Sequence, residues 1–574
     1  MFKKKFFLPL LLLVLTIPAF FFFLKPGNLY WNMQDDMQMM RQLEFEKCLK
    51  DGQIPCRWNP DLGFGYGYPL FNFYPPLPSL VGQIFRTFSL SFVQSVKFTA
   101  VLQFVLAALF MYLLASSLFG KFGGFISALF YTYVPYHALN IYVRGAMNEA
   151  WAAVFFPLIF YFSRKIILKK KIIDILGLGI SFACLFLSHN PMVLTFTPIL
   201  FVWVLFWLWQ TYRLKVKLMI PSVVKLIFSG LLSLSLAAFF TLPVLFETKL
   251  VQVESMFQNY YSFSAHFVSI KQLFFSNFWG DGPSVWGTAD GMSFMVGFVY
   301  WILAILTVFY FTFISIKDKK IDRKLLLPIL LIFIGFIAIF MTHERSTFLW
   351  ITFKEIQKVQ FPWRFLNHSA FLFSLSAGIL PYILNKIFSK KIAISIIISI
   401  LIFLFATNIS HFYPIYSGPL TDDQKFSGNS WTRQITSSIY DYLPKTASIA
   451  AKSAAKPYVD NIEPQKAFVS FSGEKKGTDW LFFNLFLNQE AKITISQLAF
   501  PNFEITDKGE KIDYKIEPEL GRMVIDLKSG DHQIYVKLKN TPIRTISNYI
   551  SLFAWLGLVL YLLKPLWKKL IFRK

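Results

Sequence analysis

The chain opens on Lys3-Lys4-Lys5 followed by nineteen uncharged residues, FFLPLLLLVLTIPAFFFFL (6–24). At 1.5 Å per helical residue, such a run is long enough to cross ~30 Å of hydrocarbon. It has the layout of a secretory signal. It is longer than a signal's apolar core, however, and no Ala-x-Ala cleavage site follows, so it reads as an uncleaved first membrane helix. Comparable runs fall at 98–119, 122–141, 149–163, 172–188, 191–210, 222–246, 293–316, 325–342, 365–385, 392–410 and 547–566. Hydrophobic residues make up 55% of the 574, and the mean hydropathy is +0.50. Soluble domains are less apolar than this and do not concentrate the excess in spans of membrane length. The expected fold class is an α-helical polytopic membrane protein of about 12 transmembrane helices.

The net charge of +25 raises the question of nucleic acid, and the positions of the charges answer it. The basic residues gather between the apolar runs: Lys3-Lys4-Lys5, Arg164-Lys165 with Lys169-Lys170-Lys171, Arg213/Lys215/Lys217, Lys317/Lys319/Lys320/Arg323/Lys324, and Lys568-Lys569 with Arg573-Lys574. These are the charges that hold loops on the cytoplasmic side of a plasma membrane. No basic face interleaved with aromatic residues occurs in a soluble segment, so no nucleic-acid partner is expected. Orienting the first helix by its lysines sends every basic connection to one side. Both termini are then cytoplasmic, and the long connections at 25–97, 247–292, 343–364 and 411–546 face outward.

Three divisions follow: a transmembrane domain over 1–410 with the large first outer loop 25–97, an extracytoplasmic β-rich domain over 411–546, and a final helix with basic tail over 547–574. Within 411–546, Ile493/Ile495, Met523/Ile525/Leu527 and Ile534/Val536/Leu538 alternate with polar residues. Lys528-Ser529-Gly530-Asp531 supplies a turn between the last two runs. Period-2 alternation in several short stretches predicts a C-terminal β-sandwich-like domain of about 80 residues. Of three cysteines, Cys184 lies in an apolar run. Cys48 and Cys56 share the first outer loop, where spacing alone leaves a disulfide open.

Chemistry-bearing residues collect at the outer ends of the helices. Asp35-Asp36 follow the first helix directly, with Arg41, Glu44 and Glu46 beyond. Two adjacent carboxylates suit a general base and an orienting or cation-holding partner, and they equally suit a helix cap. The loop continues through Gly52-Gln53-Ile54-Pro55-Cys56-Arg57-Trp58 and Gly63-Phe64-Gly65-Tyr66-Gly67-Tyr68-Pro69. Its glycines and prolines favour a structured loop over a merely interfacial one. Arg144, Glu149, His189, Glu247, His343-Glu344-Arg345 and Arg364 complete the set. Ionisable groups at membrane depth are costly and commonly mark sites, and arginine matches phosphate oxygens bidentately.

These features together resemble the GT-C superfamily of membrane glycosyltransferases, with their carboxylate-bearing first outer loop, multi-helix body and C-terminal outer domain. More narrowly, Arg41 to Phe45, Gly52-Gln53-Ile54-Pro55 with Arg57-Trp58, Gly65-Tyr66-Gly67-Tyr68-Pro69 to Tyr74-Pro75, Arg144-Gly145 with Glu149, and Gln360-Phe361-Pro362-Trp363-Arg364-Phe365 resemble a bacterial membrane family. It is labelled "6-pyruvoyl-tetrahydropterin synthase-related" and is akin to YfhO-type proteins. The pterin label fits poorly, because that chemistry needs a three-histidine zinc site and the seven histidines here are scattered without a His-x-His pair. The GT-C resemblance implies transfer of a sugar from a polyprenyl-phosphate donor to a glycan, lipid or protein acceptor on the outer face. Asp35 or Asp36 would act as base, and Arg41, Arg57, Arg144, Glu149, His189 and Arg364 would bind substrate or phosphate. No metal ligand set is implied, and a divalent cation remains compatible with the carboxylates. Two other readings stay open: a transporter or flippase of lipid-linked glycans, and a non-catalytic envelope-assembly protein.

Overall fold

In a computed structural model of the chain, residues 2–169, 171–285, 287 and 289–571 are described, with only the backbone for 2–6 and 565–571. Lys170, Arg573 and Lys574 of the basic connections therefore lie outside the described residues. All twelve apolar runs are helical, but their lengths are unequal. Among the described residues, nine helices are long and apolar enough to cross a membrane, or ten if a bent pair counts as one span. The expectation of about twelve spans is thus refined at three places. The runs 98–119 and 122–141 lie mostly in one element, Phe92–Thr132, divided at Gly120, whose φ of 77° suits glycine. The run 172–188 is a helix of only 15 residues, Ile172–Phe186. The run 325–342 forms Leu326–Phe340, which turns by 94° into Glu344–Thr352. The protein is a multi-pass membrane protein.

Two compact units divide the chain, and neither is continuous in sequence. The first comprises 1–38, 93–233 and 257–420 and holds most of the helices. Lipid tails give apolar helices little reason to associate, so close backbone approach and hydrogen bonds must do so. A Cβ on Gly123 would stand 2.5 Å from the Gly378 carbonyl oxygen, which lets these two helices touch backbone to backbone. Ser127 Oγ donates to the Leu375 carbonyl at 3.1 Å beside that crossing. Stacked rings, Phe156 on Phe196 at 4.1 Å and Phe160 on Trp203 at 4.2 Å, fix the neighbouring helices. Two short strands, β1 (Leu29–Trp31) and β2 (Ser417–Pro419), pair antiparallel at the ends of this unit's chain segments.

The second unit comprises 39–92, 234–256 and 421–574. Nine strands make its two antiparallel sheets: β3 (Val459–Glu463), β4 (Phe468–Lys476), β5 (Trp480–Leu487), β6 (Ala491–Leu498), β7 (Phe503–Asp507), β8 (Glu510–Ile512), β9 (Lys515–Ile516), β10 (Arg522–Leu527) and β11 (Gly530–Leu538). One sheet runs β3-β6-β10-β9 and the other β4-β5-β11-β7-β8. Every alternating residue expected inside is buried there: Ile493, Ile495, Met523, Ile525, Leu527, Ile534, Val536 and Leu538. The turn at 528–531 connects β10 in one sheet to β11 in the other. It therefore crosses the sandwich and does not close a hairpin.

Part of the first loop completes this core. Cys48 and Cys56 form a disulfide with Cα atoms 5.4 Å apart. The turn they close is pinned to the sandwich, since Asp51 accepts from the Thr478 amide at 2.7 Å and from Trp480 Nε1 at 3.1 Å. Gln53 Nε2 donates to Thr478 Oγ1 at 2.9 Å, while its oxygen accepts from the Trp58 amide at 2.8 Å. That delivers Trp58, Tyr66 and Phe73 into the same buried cluster as the strand residues. The glycine-rich run has its reason here: a Cβ on Gly67 would lie 2.2 Å from Trp58 Nε1, and Gly67 sits at φ +85°.

Candidate active site

The first unit holds six of the eight sequence-predicted site residues: Asp35, Asp36, Arg144, Glu149, His189 and Arg364. After β1 the chain runs alongside a π-helical turn at Leu139–Val143. Trp31 Nε1 donates to the Ile141 carbonyl, the Gln34 amide to that of Val143, and the Asp35 amide to that of Arg144, each at 2.9 Å. Gln38 Nε2 closes the register by donating to the Gly145 carbonyl at 2.8 Å and to Asp35 Oδ2 at 3.3 Å. Gly145 itself has φ +65°, and a Cβ there would stand 2.5 Å from Met33 Sδ. Gly145→Ala should therefore cost about 1–3 kcal/mol in backbone strain and displacement of Met33. A thermal melt of the solubilised chain measures this, and an unchanged midpoint would count against the register described.

Arg144, whose carbonyl takes the Asp35 amide, belongs to a buried ion cluster. Arg144 Nη1 donates to Glu149 Oε2 at 2.9 Å, and Arg364 Nε stands 3.3 Å from the same oxygen. Tyr136 OH donates to Glu149 Oε1 at 2.6 Å, and Arg144 also bonds Asn140 Oδ1. Arg364 Nη1 donates to the Val359 carbonyl at 2.7 Å and to Gln360 Oε1 at 3.0 Å. Arg144 lies over the Trp363 ring at 4.3 Å, and Trp363 stacks on Phe361 at 4.7 Å. Two guanidinium groups thus share one carboxylate, giving the cluster a net positive charge. Burial opposes the charge on Arg144, but Glu149 beside it holds the guanidinium above its ordinary value. Asp35 and Asp36 are only half-buried, so a solute can reach them. Tyr30 OH donates to Asp36 Oδ1 at 3.4 Å, and burial with the Asp36 charge keeps that phenol protonated, its pKa well above the usual value.

His189 caps the helix Asn190–Tyr212, its Nδ1 accepting from the Met192 amide at 3.3 Å. Burial and the Arg364 charge pull its pKa to about 3, so the imidazole is neutral and Nε2 carries the proton. The ring therefore has one N–H to donate, and it brings no charge. Arg41 and Arg57 belong to the other compact unit and make their own contacts there. Arg41 lies over the Tyr74 ring at 4.3 Å, and Arg57 bonds Asn72 Oδ1 at 2.9 Å and Asn548 Oδ1 at 2.7 Å. Sequence reasoning missed Tyr30, Tyr136, Asn140 and Trp363 as partners. Trp363 was visible beside Arg364, whereas Tyr30 in β1, Tyr136 in the turn Pro135–Ala138 and Asn140 in the π turn carry no motif. Among the described residues, no group of three or more His, Cys, Asp or Glu side chains is placed to hold a metal ion.

No family model matches the chain. An uncharacterized protein of Lactococcus lactis subsp. cremoris (strain MG1363) is 27% identical over 253 residues, which is 42% of this chain and 39% of that relative. Among solved structures, the archaeal oligosaccharyltransferase AglB from Archaeoglobus fulgidus, in complex with an inhibitory peptide and a dolichol-phosphate, aligns at a TM-score of 0.44 and 14% identity. That alignment covers 80% of this chain and 62% of AglB. Arabinosyltransferase EmbB from Mycobacterium smegmatis aligns at a TM-score of 0.35 and 9% identity, over 92% of this chain and 63% of EmbB. The chain thus spans less than two thirds of the length of each of these three proteins.

Proposed function

We propose that the chain is an inverting membrane glycosyltransferase that moves a sugar from a polyprenyl-phosphate-linked donor to an acceptor on the outer face of the membrane. The observation that supports the reading is the Asp35 amide bonded to the Arg144 carbonyl, which joins the segment bearing Asp35 and Asp36 to the one bearing Arg144. Asp35 or Asp36 takes the proton of an acceptor hydroxyl. The freed oxygen attacks C1 of the sugar, and the C1–O bond to phosphate breaks with its electron pair leaving on the phosphate. Arg144 and Arg364 stabilise that developing charge, with His189 Nε2–H as a neutral donor. Preorganised donors of this kind commonly contribute more to catalysis than any other single effect. Glu149 orients both arginines, so it is a positioning residue. Nucleotide sugars are absent from the outer face, which is the reason for a lipid-linked donor. Kinship with the YfhO-like family rests on the quoted motifs alone.

The test is mass spectrometry of cell-surface glycans with and without the protein, followed by Arg364→Lys in the complemented strain. Lysine keeps the charge and loses the two-pronged geometry, so the variant should raise the donor requirement by about tenfold while leaving the acceptor requirement unchanged. Identical glycan profiles in the two strains would end the transferase reading.

A further inference from the structure

A second buried arginine cluster lies in the sandwich-bearing unit, and the transfer reaction above does not use it. Arg544 stands in the first turn of the helix Pro542–Ile571 and is 1% exposed. Its Nε donates to Glu247 Oε2 at 2.9 Å, yet neither Nη1 nor Nη2 has a hydrogen-bond partner among the described residues. Arg57 gives its Nη atoms to Asn72, to Asn548 and to the Phe239 carbonyl, and its Nε is unpartnered among the same residues. Glu247 is occupied further by Asn72 Nδ2 at 2.9 Å and Thr541 Oγ1 at 2.6 Å. Two cations face one carboxylate, which leaves one positive charge uncompensated in a buried place. Buried charges of that kind are costly unless paired.

We propose that this cluster binds a phosphate group carrying one negative charge, as in a phosphodiester. Four features converge on that ligand. The unpartnered Nη edge of Arg544 is the planar fork that matches phosphate oxygens. The charge deficit equals one monoanion. The site lies at the start of a long helix, where Thr541 accepts from the Arg544 amide at 3.2 Å and the helix dipole favours an anion. Finally, Leu245, Phe246, Ile546 and Tyr549 are exposed apolar side chains flanking Glu247 and Arg544 in sequence, with the half-buried Thr541 and Asn548 among them. A phospholipid headgroup with tails along that surface and a free phosphate share this chemistry, and the experiment separates them.

The full-length chain is purified in detergent and titrated with inorganic phosphate while thermal unfolding is followed. In parallel it is placed in nanodiscs of phosphatidylcholine with or without phosphatidylglycerol, and retained lipid is counted by native mass spectrometry. Wild-type protein should retain phosphatidylglycerol at least about tenfold over phosphatidylcholine if the source is a headgroup, and should rise in Tm with inorganic phosphate if it is a free anion. Either response should fall in Arg544→Gln and be partly kept in Arg544→Lys. Failure of the wild type to respond to both probes overturns the proposal whatever the variants do. So does a response of equal size in a folded Arg544→Gln. Neither readout depends on sugar transfer, so the site stands or falls separately from the enzymatic reading.

Discussion

Asp35→Asn and Asp36→Asn are each expected to leave the protein at normal abundance in the membrane, and the one that replaces the base should lower transfer by about 10²–10⁴-fold. That range is what a positioned general base typically contributes, equivalent to about 3–5 kcal/mol of barrier. The change is nearly isosteric, and both side chains are half-buried at the reachable edge of the site. The anchoring contact of Asp35 runs through its backbone amide to Arg144, which asparagine retains. Loss of activity therefore separates from loss of fold, and an immunoblot of membranes alongside the transfer assay makes the distinction. The carboxylate that proves dispensable as a base becomes the orienting partner, and Asp36 already has Tyr30 OH directed at it. Full transfer by both variants would remove the base from this site.

The second large effect is structural. Trp58→Ala should destabilise the sandwich-bearing unit by about 3–5 kcal/mol, the usual range for deleting a buried aromatic side chain. Trp58 is fully buried, edge-on to Phe503 at 5.1 Å and tilted against Phe500 at 5.8 Å. Its indole Nε1 has no hydrogen-bond partner among the described residues. Trp58→Phe should consequently cost far less than Trp58→Ala, because the ring contacts remain in part and no hydrogen bond is lost. Limited proteolysis of the solubilised chain, read at sites within 459–538, distinguishes the two variants from wild type. Equal protection of wild type and Trp58→Ala would mean that the first loop is not part of this core.

Membrane class and the inward faces of the strands were legible in the residues alone, because both depend on short-range periodicity. A nineteen-residue apolar run needs no partner to be recognised as spanning, and Ile534/Val536/Leu538 must turn to one side wherever the strand lies. Asp35, Asp36, Arg144, Glu149 and Arg364 also stood out as chemically unusual, since charges cost free energy at that depth. Which of them meet is a matter of tertiary structure. Hydrogen bonds from 31–35 to 141–144 join segments about a hundred residues apart, and no local pattern encodes that register. The same holds for Trp58, whose Gly/Pro-rich neighbourhood signalled a structured loop but not the sandwich core it enters. Arg544 was silent for a further reason. It looks like an ordinary charge at the mouth of a membrane helix, and only burial beside Arg57 and Glu247 leaves its guanidinium with donors unmet.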